Sequence, residues 1–141
     1  MNIDNALILI KKDLETNWPE LEFRFSNDGT KARAEGEIWV DGINHELHTF
    51  ITVTPSGGAS FVLGLGKIDK TPKVLELLNE YNSKGGLLKI VADKNNMLIL
   101  SHGIICYDER MLTNYTSVFL NSFCDALENE TIIKLNGYSY W

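Results

Sequence analysis

The stretch TPKVLELLNEYNSKGGLLKIVADKNNMLILSHGIIC (Thr71–Cys106) decides the fold, because it is typical of a helix followed by a two-stranded hairpin. Thr71–Pro72 suits a helix start, since the hydroxyl caps free N–H groups and proline has no N–H to leave unpaired. Gly85–Gly86 ends the helix, because glycine adopts the left-handed conformation without a Cβ clash. Asp93–Asn96 favours a turn between two β-rich segments. The apolar stripe of the helix is predicted to contain Val74, Leu75, Leu78 and Tyr81.

The chain before this stretch is predicted to form one helix and four strands. Apolar residues at helical spacing (Ile3, Leu7, Ile10 and Leu14) predict a helix from about residue 3 to residue 17. Alternation of apolar and polar residues then predicts strands over 21–25, 31–40, 45–54 and 59–66, separated by turn signals. Consecutive strands joined by short turns are expected to be antiparallel.

The chain after this stretch is predicted to form a last helix, capped by Asp108, with an apolar stripe of Leu112, Tyr115, Phe119, Phe123 and Ala126. Residues 131–141 are expected to form a short strand or a docked tail. The predicted order is therefore α-ββββ-α-ββ-α in a single α+β domain spanning residues 1–141. Several strands that follow one another in the chain, with helices before and after each group, favour an antiparallel sheet covered by helices.

Composition narrows the function classes. The chain has 141 residues and a net charge of −6, which opposes non-specific attraction to nucleic acid. We expect no membrane span, because no run of about 18 apolar residues occurs, and a cytoplasmic location, because the N-terminus lacks a secretory signal pattern. Cys106 and Cys124 are expected to be reduced and buried.

No residue pattern predicts a catalytic centre, a metal site or a cofactor. His45 and His48 would point to opposite faces of a strand, so they are not expected to share a metal ion. His102 and Cys106 leave open a thiol–imidazole pair, although an isolated histidine and a packed thiol explain them as well. Gly64 and Gly66 lack phosphate-loop spacing, and we expect them to mark a close approach to their strand. The sequence therefore predicts a non-enzymatic protein.

Three apolar residues are out of phase with the inner residues of their strands, namely Trp39, Phe50 and Val62. Alternation places them on the second face of the sheet, where exposed apolar side chains are typical of an interaction surface. The alternative is that the N-terminal helix or the C-terminal Tyr138, Tyr140 and Trp141 cover this face.

The segment Leu77–Asn82 (LLNEYN), two short strands, and Asp108–Glu109 opening a long helix together resemble the YbjN-like bacterial family. That family has a leucine–asparagine–x–x–asparagine helix before a hairpin, and it shares its fold with type III secretion chaperones. The resemblance implies a small acidic α+β protein, commonly a dimer, that holds extended segments of a client. It makes Asn79 and Asn82 candidate partner contacts, whereas their position near a helix end favours a structural role. The chain departs by having four strands before the central helix instead of three.

These observations predict a cytoplasmic, non-enzymatic, homodimeric protein-binding domain. Its candidate partner-binding residues are Trp39, Phe50, Val62, Asn79 and Asn82. The alternative is a small acidic inhibitor or immunity-type protein, of phage or mobile-element origin, that neutralises one protein target. The sequence does not name the partner in either case.

Overall fold

The computed structural model describes residues 1–38 and 46–140, apart from the Asn114 side chain. The described residues form α1 (Ile3–Asn17), β1 (Phe23–Asn27), β2 (Ala32–Ile38), β3 (Leu47–Val53), β4 (Gly58–Lys67), α2 (Pro72–Ser83), β5 (Lys89–Ala92), β6 (Met97–Ile105), α3 (Leu112–Leu127) and α4 (Glu130–Asn136). A single 3₁₀ turn, Glu109–Met111, precedes α3. The predicted α+β class and the order up to α3 are confirmed.

The described strands form one antiparallel sheet in the order β1-β2-β3-β4-β6-β5. The first four strands follow one another as a meander, as predicted, while β6 lies between β4 and β5. As a result β1 and β5 are the two edges of the sheet. The Asp41–Gly42 turn signal between β2 and β3 lies outside the described residues.

The sheet buries one face. On β2, β3 and β4 the buried side chains alternate with half-exposed ones, and the buried set packs against the helices in one hydrophobic core. At its centre the rings of Phe61 on β4 and Phe119 on α3 stack with centroids 4.1 Å apart. Both side chains are fully buried. The helices therefore lie on the face that carries Phe61.

The central helix α2 begins as predicted. The Thr71 hydroxyl accepts a hydrogen bond from the Val74 N–H at 3.3 Å, and Gly85 after the helix has a φ of 68°, in the left-handed region. The predicted apolar stripe is wrong at one position: Leu75 is 50% exposed, and Leu77 is buried instead. The buried positions follow i, i+3 and i+4 spacing, which one side of a helix permits.

The C-terminus differs from the predicted strand or tail, because residues 130–136 form the additional helix α4. The Asn129 side chain caps it by accepting hydrogen bonds from the N–H groups of Thr131 and Ile132, and Ile132 and Leu135 are buried. Among the described residues of the predicted segment, only Tyr140 has the expected strand-like contact. Its backbone pairs with that of Lys67, with N···O distances of 2.6 and 2.8 Å. Asp108 caps the 3₁₀ turn by accepting the Arg110 N–H, so α3 begins at Leu112.

Candidate partner-binding surfaces

The second face of the sheet, here called the open face, points away from the helices. Its apolar side chains are Phe50 (β3), Val62 (β4), Ile99 (β6) and Val91 (β5). Phe50 is directly opposite Val62 on the neighbouring strand, and Ile99 is directly opposite Val91. The four side chains belong to two adjacent cross-strand rows, and they are half-buried or exposed. They therefore form an apolar stripe across four strands, in which Ser101 is directly opposite Val62 and Gly64 is directly opposite Ile99.

The open face becomes charged on β1 and β2. Arg24 donates two hydrogen bonds to the Glu37 carboxylate, at 3.0 and 2.7 Å. This pairing raises the pKa of Arg24 and lowers the pKa of Glu37, chiefly through the side-chain hydrogen bonds between them. The Arg33 guanidinium lies over the Phe50 ring at 4.4 Å from its centroid. The apolar stripe thus has a polar, ion-paired border on one side.

A shallow groove of about 420 Å³ continues the open face toward one end of the sheet. The residues that line it are small or β-branched, and they include Thr52, Ser60, Gly103 and Ile105. Ile105 is 68% exposed, which makes it one of the most accessible large apolar side chains among the described residues. This end of the face is open to a partner's side chains.

The structure describes four of the five predicted partner-binding residues. Phe50 and Val62 lie on the open face, as alternation predicted. Trp39 lies outside the described residues, as does His45. Asn79 is exposed on α2, and Asn82 lies in the last turn of the same helix. The two asparagines therefore belong to a different region from Phe50 and Val62.

Asn82 has a structural contact that the sequence did not predict. Its side-chain Nδ2 donates to the Ile90 carbonyl at 2.7 Å, and its Oδ1 accepts from the Ile90 N–H at 2.9 Å. The expected structural role near a helix end is thus correct in kind for Asn82, and its partner is the edge strand β5. Asn79 has no comparable contact among the described residues.

The edge strand β1 is a feature that the sequence reasoning missed. A groove of about 570 Å³ runs between β1 and the end of α1, and its apolar lining includes Leu14, Leu21, Phe23 and Phe25. Phe23 and Phe25 are half-buried and pack against the core from the edge of the sheet. The sequence contained the alternation of this strand, but only the strand order shows that it is an edge.

The residues considered for chemistry have ordinary packing roles. The His102 ring stacks on Phe119 with centroids 5.1 Å apart, and Cys106 is buried, which raises the pKa of its thiol. A thiol with a raised pKa is a poor nucleophile at neutral pH. The expectation that Cys124 is also buried is wrong, because Cys124 is exposed. Across residues 1–38 and 46–140, no group of three or more His, Cys, Asp or Glu side chains is placed to hold a metal ion.

The structure gives a backbone reason for one of the two glycines of β4, Gly66. The pairing of β4 with β6 shifts register between Gly64 and Lys67, and Gly66 within this bulge has a φ of 105°. A side chain rarely adopts that conformation, so the bulge requires glycine at this position.

None of the helices in the described part of the chain is both long and apolar enough to cross a bilayer. No protein-family model, curated protein or solved structure matches the chain.

Proposed function

We propose that this chain is a non-enzymatic protein-binding domain, similar in role to YbjN-like proteins and type III secretion chaperones, that holds a protein partner on its open face. The observation that carries the proposal is the apolar stripe of Phe50, Val62, Ile99 and Val91, which the described helices leave uncovered. Contiguous exposed apolar surface with a polar border is typical of protein interaction sites.

Three further features support a protein as the ligand. The stripe extends over four strands and none of its four residues lines a cavity that the structure shows among the described residues, whereas a small molecule needs a concave pocket. The bordering Arg24–Glu37 pair offers both signs of charge, which gives orientation to a docked protein. The net charge of −6 opposes binding to nucleic acid. We place this domain in the cytoplasm and infer that it is a homodimer.

The alternative is a small acidic inhibitor or immunity-type protein, of phage or mobile-element origin. The same stripe supports it, because a flat apolar surface with a charged border also fits a folded target. The two functions differ in what they bind: a chaperone-like domain captures extended segments, and an inhibitor holds one folded protein. Measuring the binding of the native and of the denatured form of a captured partner distinguishes the two functions.

The experiment compares two substitutions that introduce the same charge. Val62→Glu places a carboxylate in the middle of the stripe, and Val118→Glu places one on α3, where Val118 is 46% exposed. We expect Val62→Glu to weaken self-association, measured by sedimentation at micromolar concentration, or capture of the partner, because a charge buried without a counter-ion is unfavourable. Val118→Glu is expected to leave both unchanged. Equal behaviour of the two variants would contradict the proposal.

A further inference from the structure

The two edges of the sheet differ in whether their backbone is free to pair. In the β1–β2 hairpin, the Asp28 N–H donates to the Lys31 carbonyl at 3.2 Å, so these two residues are a hydrogen-bonded pair of the antiparallel ladder. Along β1, residues that bond to β2 alternate with residues whose backbone groups face outward, and this pair sets which are which. By that alternation the backbone groups of Phe23 and Phe25 point away from β2. Within the described residues, neither the N–H nor the C=O of these two residues has a hydrogen-bond partner. The β1 edge is therefore open to another strand.

The β5 edge is blocked at Ile90. The Asp93 N–H donates to the Met97 carbonyl at 3.0 Å, so alternation turns the backbone groups of Ile90 away from β6. Both of these groups bind the Asn82 side chain. An amide in this position satisfies the groups that a neighbouring strand would use. Among the described residues Ala92, the other outward residue of β5, has no such contact, so β1 offers the longer free edge.

The surroundings of β1 define which strand would fit. The groove beside it is lined by Leu14, Leu21 and Pro19 on the helix side, and Phe23 and Phe25 form its floor on the sheet side. A strand added to β1 would direct alternate side chains into this groove and the others toward the open face. Apolar residues at every second position match the apolar lining.

The charges around β1 are mostly acidic. Glu15, Glu20 and Glu22 are exposed near its start, and Asp4 and Asp28 are exposed near its end. Hydrogen bonds from the Thr30 side chain and from backbone N–H groups lower the pKa of Asp28 to about 2, so it is charged at neutral pH.

The cations near β1 offset this charge only in part. The Arg24 guanidinium is paired with Glu37, the Lys11 ammonium lies 5.6 Å from the centroid of the Phe25 ring, and Lys31 lies near Asp28. The acidic residues at both ends of the strand favour a segment with basic residues at its ends.

A second copy of this chain fits the edge less well. A two-fold axis at Phe25 pairs the full length of β1 with itself, and it then places Glu22 of each copy opposite Asp28 of the other. Like charges directly opposite each other on neighbouring strands are destabilising. The charge pattern therefore favours a different protein as the occupant of this edge.

We propose that β1 binds an extended segment of a partner protein as a seventh strand, with apolar residues at alternate positions and basic residues at both ends. The inference rests on the proposed function only in that the ligand is a protein, since it concerns a site separate from the open face. Backbone hydrogen bonds to Phe23 and Phe25 supply the affinity, and the groove supplies the selectivity.

The probe is a short peptide whose central residues alternate valine and threonine, with a pair of lysines at each end. In amide hydrogen exchange followed by NMR, we expect the peptide to protect the outward amides of Phe23 and Phe25 and to leave those of Arg24 and Ser26, already in the ladder with β2, unchanged. This alternation is specific to strand addition. A peptide whose central valines and threonines carry N-methyl groups, and one with glutamate pairs at its ends, are expected to bind at least about tenfold more weakly.

Two substitutions at one position test the backbone contact. Phe25→Pro removes an outward N–H and leaves every hydrogen bond to β2 in place. An edge strand tolerates proline at such a position. Phe25→Val keeps the N–H. We expect Phe25→Pro to reduce peptide affinity by about tenfold relative to Phe25→Val. The exchange measurement on the unmodified chain remains decisive if Phe25→Pro does not fold.

Three outcomes would overturn the inference. They are uniform or absent protection along β1, equal binding of the N-methylated peptide, and protection of Phe23 and Phe25 by dimerisation without any peptide. Peptide binding that fails while Val62→Glu still weakens self-association or partner capture would remove the β1 site and leave the open-face proposal standing.

Discussion

The Asn82 side chain and the Ile90 backbone form a pair of hydrogen bonds, with N···O distances of 2.7 and 2.9 Å. The carboxamide presents one donor and one acceptor, the same pair of groups that a neighbouring strand would present to Ile90. The pair ties the last turn of α2 to β5, across the glycine break between them. One side chain therefore completes the edge of the sheet and fixes the central helix to it.

Replacing Asn82 with alanine is expected to lower the free energy of unfolding by roughly 1–3 kcal/mol, because it leaves the half-buried N–H and C=O groups of Ile90 without partners. Asn79→Ala is the matched control, since Asn79 is exposed on the same helix, and its effect is expected to stay within about 0.5 kcal/mol. Urea denaturation of both variants measures the difference. Equal losses would show that the pair with Ile90 does not stabilise the chain.

Much of the fold was predictable because its signals are local. The Thr71–Pro72 start and the Gly85–Gly86 break delimit α2, and alternation of apolar residues marks the inner faces of β2, β3 and β4. Alternation has a period of two, so it also placed Phe50 and Val62 on the opposite face. Patterns of this kind depend only on neighbours in the chain, which is why the sequence suffices for them.

Other features depend on contacts that a linear pattern does not contain. The buried stripe of α2 contains Leu77 rather than Leu75, because α2 packs against β5 and α4, and these elements determine which side of the helix is buried. Residues 130–136 form a helix because Ile132 and Leu135 have a core to enter. The role of β1 as an open edge follows from the strand order, and strand order is a property of the whole sheet.

Phe119→Ala is expected to destabilise the chain by roughly 3–5 kcal/mol, because it removes a fully buried ring that stacks on Phe61 and leaves a cavity. Val118→Ala on the same helix is the control, since Val118 is 46% exposed, and we expect a loss below about 0.5 kcal/mol. Chemical denaturation gives both values. A small loss at Phe119 would show that α3 is assigned the wrong buried face.

The Asp28 carboxyl is expected to titrate at a pKa of about 2, because it accepts hydrogen bonds from the Thr30 hydroxyl and from the backbone N–H groups of Lys31 and Thr30. Its pKa is lower in the folded chain than in the unfolded one. The stability that it contributes is therefore present above about pH 4 and is lost as the pH falls toward about 2.

Thr30→Val tests the cause of this shift, because it removes the hydroxyl and keeps the shape of the side chain. We expect the pKa of Asp28 to rise toward its ordinary value, while Thr30→Ser, which keeps the hydroxyl, leaves it near that of the unmodified chain. Carbon-detected NMR titration of the carboxyl groups reports it directly. A pKa of Asp28 that is the same in both variants would rule out the Thr30 hydroxyl as the main cause.

The Ser117 hydroxyl on α3 donates to the Asp13 carboxylate on α1, with distances of 2.9 and 3.0 Å to its two oxygens. Asp13 is only 7% exposed, and Asn17 donates to the same carboxylate at 2.6 Å. Since a buried carboxylate needs its hydrogen bonds, Ser117→Ala is expected to lower the free energy of unfolding by roughly 1–3 kcal/mol. Ser122→Ala is the control, because the Ser122 hydroxyl binds only the Val118 carbonyl of its own helix and is expected to change stability little. Denaturation curves with equal midpoints for the two variants would show that this contact does not hold α1 against α3.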